Sequence, residues 1–108
     1  MRNSSEQRAR RHYRLRFYRI LDENVWAGGY ELDLVVRRGR RIAFVEVKSK
    51  SGDRFGDPLE MVGPEKQRRL RQAAEAWLAA NPELVGLEAS FEVVADRGGR
   101  IERVRQAF

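Results

Sequence analysis

The stretch that decides the fold is Tyr30-Glu31-Leu32-Asp33-Leu34-Val35-Val36-Arg37-Arg38-Gly39-Arg40-Arg41-Ile42-Ala43-Phe44-Val45-Glu46-Val47-Lys48. Two apolar, β-branched runs flank a short basic turn holding one glycine, which is the signature of a β-hairpin. With Gly39 and Arg40 as the central residues of a type II′ turn, Gly39 takes the positive φ and Arg38 faces Arg41. That register also sets Asp33 opposite Glu46 and Glu31 opposite Lys48. Side chains alternate along a strand, so Glu31, Asp33, Glu46 and Lys48 project from one face. Leu32, Leu34, Val36, Ala43, Val45 and Val47 project from the other. A three-residue turn would shift the pairing by one and separate Asp33 from Glu46. The first register is preferred because it alone keeps both faces chemically coherent.

Directly opposed carboxylates lie roughly 5 Å apart at Cβ and repel each other. A divalent cation offsets that cost, and two carboxylates with water and phosphate oxygens suit Mg²⁺. Lys48, two residues after Glu46, would neutralise charge, orient a water and contact a phosphate. The plainer reading is a solvated strand end with Lys48 paired to Glu31, and an arbitrary hairpin favours it.

The spacing Asp33-x(12)-Glu46-x-Lys48 across a hairpin resembles the PD-(D/E)xK nuclease core of restriction endonucleases and archaeal Holliday-junction resolvases. Gly29-Tyr30-Glu31-Leu32-Asp33-Leu34 followed by Phe44-Val45-Glu46-Val47-Lys48 more closely resembles the YraN family of small, endonuclease-like bacterial proteins. The likeness extends to Tyr18-Arg19-Ile20-Leu21 with Asn24, to Phe55-Gly56-Asp57-Pro58, to Lys66 and Arg69, and to Ala107-Phe108. Where that family usually has Gly-Tyr, this chain has Phe17-Tyr18. The resemblance implies a restriction-endonuclease-like core, a mixed central sheet of about five strands flanked by helices. It implies Mg²⁺ or Mn²⁺ held by Asp33, Glu46 and the backbone carbonyl of Val47. Glu6 is, on the residues alone, an ordinary first-turn carboxylate; the resemblance makes it a further metal ligand. Lys66 and Arg69 read as solvated on sequence alone, and the resemblance marks them as phosphate contacts.

The rest of the chain is consistent with one small α/β domain spanning residues 1–108. Residues 4 to about 15 open with Ser4-Ser5 as N-caps and form a basic helix with a narrow inward stripe at Ala9, His12 or Tyr13, and the stem of Arg16. Arg8, Arg10, Arg11 and Arg14 surround that stripe as a solvated or phosphate-binding face. Residues 17–25 read as a strand, and Trp26-Ala27-Gly28-Gly29 as a connector in which Trp26 covers the core edge or stacks on a base. Residues 49–58 form a glycine-punctuated loop, with Lys50 and Arg54 as phosphate contacts. Pro64 and the Leu70, Ala73, Ala74, Trp77, Leu78 stripe mark a helix within residues 59–80, stopped by Asn81-Pro82. Residues 87–95 and 101–104 are strands joined through Arg97-Gly98-Gly99-Arg100.

With 22 Lys+Arg against 16 Asp+Glu, the net charge of +6 favours a polyanionic partner. The absence of cysteine excludes a disulfide scaffold and thiolate metal sites. A single histidine, His12, cannot build a His-rich site. No apolar run approaches a membrane span and no signal-peptide core is evident, so the expectation is a cytoplasmic protein without membrane contact. The sharp expectation is a metal-dependent endonuclease acting on DNA, with Asp33, Glu46, Lys48 and Glu31 as its catalytic set. Glu31 serves there as an auxiliary ligand or as the partner that orients Lys48. The resolvase likeness adds branched or flapped DNA and a homodimer. A non-catalytic nucleic-acid-binding module is the alternative, and an adaptor for an acidic protein a weaker third.

Overall fold

Gly39 adopts a φ of 60°, and Arg40 does not follow it into the left-handed region, as a type II′ turn requires. The hairpin register is therefore the one that sets Arg38 opposite Arg41. The computed structural model describes residues 4–50, 62–105 and 107–108. These form α1 (Ser4–Arg14), β1 (Arg19–Ala27), β2 (Tyr30–Arg38), β3 (Arg41–Lys50), α2 (Pro64–Ala79), β4 (Glu88–Arg97) and β5 (Arg100–Val104). A 3₁₀ turn, Pro82–Leu84, separates α2 from β4. The strands make one mixed sheet in the order β1-β2-β3-β4-β5. Neighbours are antiparallel except β3 and β4, which run parallel because the connection through α2 returns the chain to the same end. The architecture is α/β and compatible with a restriction-endonuclease-like core.

Each helix covers one face. Leu70, Ala73, Ala74 and Trp77 of α2 pack on Leu32, Val35, Ile42, Phe44 and Val93. Ala9 and Tyr13 of α1 pack on Leu34, Val36, Ala43, Val45 and Val94. The face that carries Glu46 is therefore not a polar face: Val35, Ile42 and Phe44 are buried on it beneath α2. One residue departs from strict alternation. Leu32 was expected beside Leu34, yet it joins the α2 side with Val35.

The α1 side is held by polar contacts as well as apolar ones. Glu92 is buried and accepts hydrogen bonds from the Tyr13 hydroxyl and Arg103 Nε, both at 2.7 Å. Arg103 also donates to the Tyr18 hydroxyl at 2.9 Å. The Ser5 hydroxyl donates to buried Asp96 at 2.8 Å, and Arg8 donates to the same carboxylate oxygen at 2.7 Å. Arg10 is buried against Glu23 at 3.3 Å. Arg10 thus leaves the solvated basic face that the sequence suggested, whereas Arg8 stays on it, exposed but tied to Asp96.

The turn after α1 shows why a glycine suits position 17. The Tyr18 amide donates to the Tyr13 carbonyl and the Phe17 amide to the Arg14 carbonyl, both at 3.0 Å. This is a Schellman closure, whose C′ residue sits in the left-handed region. Phe17 occupies it with a φ of 67° and a side chain 86% exposed.

Candidate functional site

The β2–β3 ladder runs from Arg38↔Arg41 to Leu34↔Val45 and stops there. Beyond that point β3 continues with β4 as far as Lys50↔Arg97. Residues 30–32 of β2 continue instead with β1, through Val25↔Leu32, Trp26↔Glu31 and Ala27↔Tyr30. The sheet forks: a two-stranded arm of β1 and β2 leaves one way, β3 and β4 the other. Asn24 bends β1 at the base of the arm with a φ of 49°, a conformation asparagine tolerates better than most residues. At the arm's tip, Gly28 has a φ of 59°, and a Cβ there would lie 3.0 Å from the Gln72 carbonyl oxygen of α2. Gln72 Nε2 donates back to the Gly28 carbonyl at 2.8 Å, so α2 braces the arm.

Asp33 lies at the apex of this fork. Its Oδ2 accepts the Val47 amide at 2.8 Å, so the side chain spans the gap where a ladder bond would otherwise be. The expected opposition of Asp33 and Glu46 is therefore made by side chains rather than by a backbone pair: the ladder ends one step short of them, and the Glu46 charge is felt at Asp33. Burial, then the neighbouring Glu46 charge, push Asp33 up from 3.8 to about 7; the Val47 amide pulls the other way. Glu46 is buried on β3, and two ammonium groups meet its Oε1: Lys48 Nζ at 3.8 Å and Lys66 Nζ at 3.7 Å.

Glu31 is exposed, and its charge is felt at both Asp33 and Glu6. It pairs across the ladder with Trp26, not Lys48, and the ion pair of Lys48 goes to Glu46. Glu6 approaches from α1. Its carboxyl is raised chiefly by burial, is lowered by a hydrogen bond with Asn24, and is raised further by Asp33 and Glu31. Among the described residues no group of three or more His, Cys, Asp or Glu side chains forms a ready metal cage.

The basic residues divide. Lys66 sits beside the acid pair, a position the helical stripe did not reveal, because α2 must first fold back over β3. Arg69 is already engaged, 3.2 Å from Glu65 and 5.6 Å above the Tyr30 ring. The Lys50 side chain and Arg54 lie outside the described residues. Trp26, expected to cover the core edge, is instead 70% exposed, whereas Trp77 is buried and donates its indole N–H to Asp22 at 3.0 Å. Glu65, which clamps Arg68 and Arg69, carried no sequence signal beyond its place in the first helical turn.

A family model described as "Uncharacterised protein family UPF0102" matches residues 5–95. A UPF0102 protein of Syntrophus aciditrophicus is 40% identical over 95 residues, covering 84% of this chain and 74% of the relative. One from Klebsiella pneumoniae is 36% identical over 104 residues, covering 95% and 81%. One from Syntrophomonas wolfei is 37% identical over 107 residues, covering 95% and 92%.

Proposed function

Because the chain belongs to the UPF0102 (YraN) family, we propose that the forked site is that of a metal-dependent endonuclease hydrolysing DNA phosphodiester bonds. One observation carries the reading: Asp33 and Glu46 come together from neighbouring strands at the fork, Asp33 raised to about 7 by burial and by the Glu46 charge, with the Lys48 and Lys66 ammonium groups both at Glu46 Oε1. Such a pair is costly unless a cation or proton relieves it. The donor set fits Mg²⁺ or Mn²⁺. Asp33 has one oxygen held by the Val47 amide and the other free of that bond, Glu46 adds hard oxygens, and the Val47 carbonyl lies on the same strand. With no ready three-acid cage among the described residues, water and phosphate oxygens would complete the shell, as Mg²⁺ favours.

A bound divalent ion supplies positive charge that neutralises the acid pair and polarises the scissile phosphate. The chain's own groups do the rest. The Val47 amide fixes the Asp33 carboxylate in the fork. Lys48 orients the attacking water and stabilises the charge that develops on the phosphate. Lys66 approaches Glu46 from α2 and serves a flanking phosphate. Glu31 and Glu6 enlarge the negative field that draws in the cation. Phosphate contacts give affinity without sequence preference, so binding weakens steeply with salt. Branched or flapped DNA, engaged by a dimer, is the substrate class the resolvase likeness suggests.

A nicking assay on linear, flapped and four-way DNA with Mg²⁺ or Mn²⁺ tests the reading. Glu46→Ala and Lys48→Ala should each lower activity by at least about 100-fold. Activity that survives both substitutions overturns it. The second reading, a non-catalytic nucleic-acid-binding module, is favoured by one feature: Lys48 and Lys66 already compensate Glu46 without an ion. It predicts salt-sensitive DNA binding, no cleavage, and no effect of Glu46→Ala.

A further inference from the structure

Trp26 is the feature of the site that the acid chemistry does not use. It is 70% exposed on β1, the outer strand of the sheet, in the arm that forks away from β3. Its Cα partner is Glu31, and directly opposed residues point to the same side of a ladder. Val25 and Leu32 turn to the α2 core, so Trp26 and Glu31 face away from it. Glu31 is close enough for its charge to be felt at Asp33. The indole is thus set on the arm next to the apex. The arm is braced: Gln72 holds Gly28, and Asn24 fixes the bend below. An exposed tryptophan costs solubility and contributes little packing, and the chain's other tryptophan shows how this fold buries one when packing is needed.

We propose that Trp26 is a stacking platform for an unpaired nucleobase, and that it makes the site prefer single-stranded or frayed nucleic acid over intact duplex. This rests on the nuclease reading and names its substrate class. An indole face accepts any base, because every base has a π surface; the chain's net charge of +6 favours a polyanion, while Glu31 beside the indole is acidic. A base within a duplex is already stacked on its neighbours and cannot lie on the indole without first being freed. Trp26 therefore acts as a positioning residue: it seats a base so that a nearby phosphate reaches Asp33 and Glu46.

The test is equilibrium binding in EDTA, where no cleavage occurs, using a short oligothymidylate and an abasic oligonucleotide of equal length and charge. Wild type should bind the oligothymidylate more tightly, with quenching of Trp26 fluorescence. Trp26→Ala should weaken that binding by about 5- to 100-fold and leave abasic binding unchanged. Trp26→Phe should restore part of the difference. Emission of the buried Trp77 reports that the variants are folded. Equal affinity of wild type and Trp26→Ala for both oligonucleotides overturns the inference and leaves the nuclease reading standing. Failure of both oligonucleotides to bind at low salt overturns the nucleic-acid reading along with it.

Discussion

Replacing Asp33 by Asn should stabilise the fold at pH 8 and leave it unchanged at pH 4. Asp33 is raised from 3.8 to about 7 by burial and by the Glu46 charge. The folded chain therefore holds a proton that the unfolded chain releases. Stability from this group is fully present below pH 4 and is lost as pH rises through 7. At 1.36 kcal/mol for each pH unit between the two values, the full loss is on the order of 4 kcal/mol. Lys48 and Lys66 beside Glu46 and the partial exposure of Asp33 reduce it, so about 2–3 kcal/mol is expected. Asparagine keeps an oxygen for the Val47 amide and offers Glu46 an N–H, without the second charge. For a domain of this size that corresponds to a Tm higher by roughly 10 °C at pH 8. The assay is thermal unfolding of both proteins from pH 4 to 8 in EDTA, with the difference curve as readout, since every other titrating group is shared. Adding Mg²⁺ at pH 8 should then raise the Tm of wild type only, by roughly 1.4 kcal/mol of stability at ten times its Kd. Parallel pH curves, separated by a constant offset, would refute the argument that the acid pair is strained.

Phe17→Gly should stabilise the protein by about 0.5–1 kcal/mol in urea unfolding, because a left-handed Phe costs about 1–2 kcal/mol and glycine returns part of that as chain entropy. Its 86% exposed ring gives up almost no burial. Gly28→Ala should cost about 1–3 kcal/mol, measured the same way, and should lower any nuclease activity, since it strains a positive φ and pushes the arm off α2. Arg103→Met should cost about 3–5 kcal/mol by leaving buried Glu92 unpaired, and adding Glu92→Gln should recover more than half of it in a double-mutant cycle.

The hairpin register was legible because Gly39 admits a turn that only one pairing satisfies, and because the hydrophobic alternation agrees with it. The closeness of Asp33 and Glu46 followed from that register. The fork did not. It arises because β3 stays with β4 through ten paired positions while the bend at Asn24 carries β1 and β2 away, and neither event is local to the hairpin. For the same reason Leu32 changes faces and Asp33 reaches into the gap between strands. The basic residues misled in one direction: Arg8, Arg10 and Arg69 look free in the sequence, but Asp96, Glu23 and Glu65 engage them. Trp26 misled in the other, since an apolar residue beside two glycines gives no sign of which side of a strand will lack a helix.

The partners of α1 constrain how the chain is made. Ser5 reaches Asp96 across 91 positions and Tyr13 reaches Glu92 across 79. A ribosome extends the chain at about 5–20 residues per second, so α1 waits seconds for its partners on β4. During that wait Ala9 and Tyr13 have only Leu34, Val36, Ala43 and Val45 of the hairpin to rest on, without Val94, Glu92 or Asp96, and a hairpin alone is too small to persist. Glu6, by contrast, meets Asn24, Asp33 and Glu31, all on β1 and β2, so the acid side of the site can gather before the polar anchors of α1 are made.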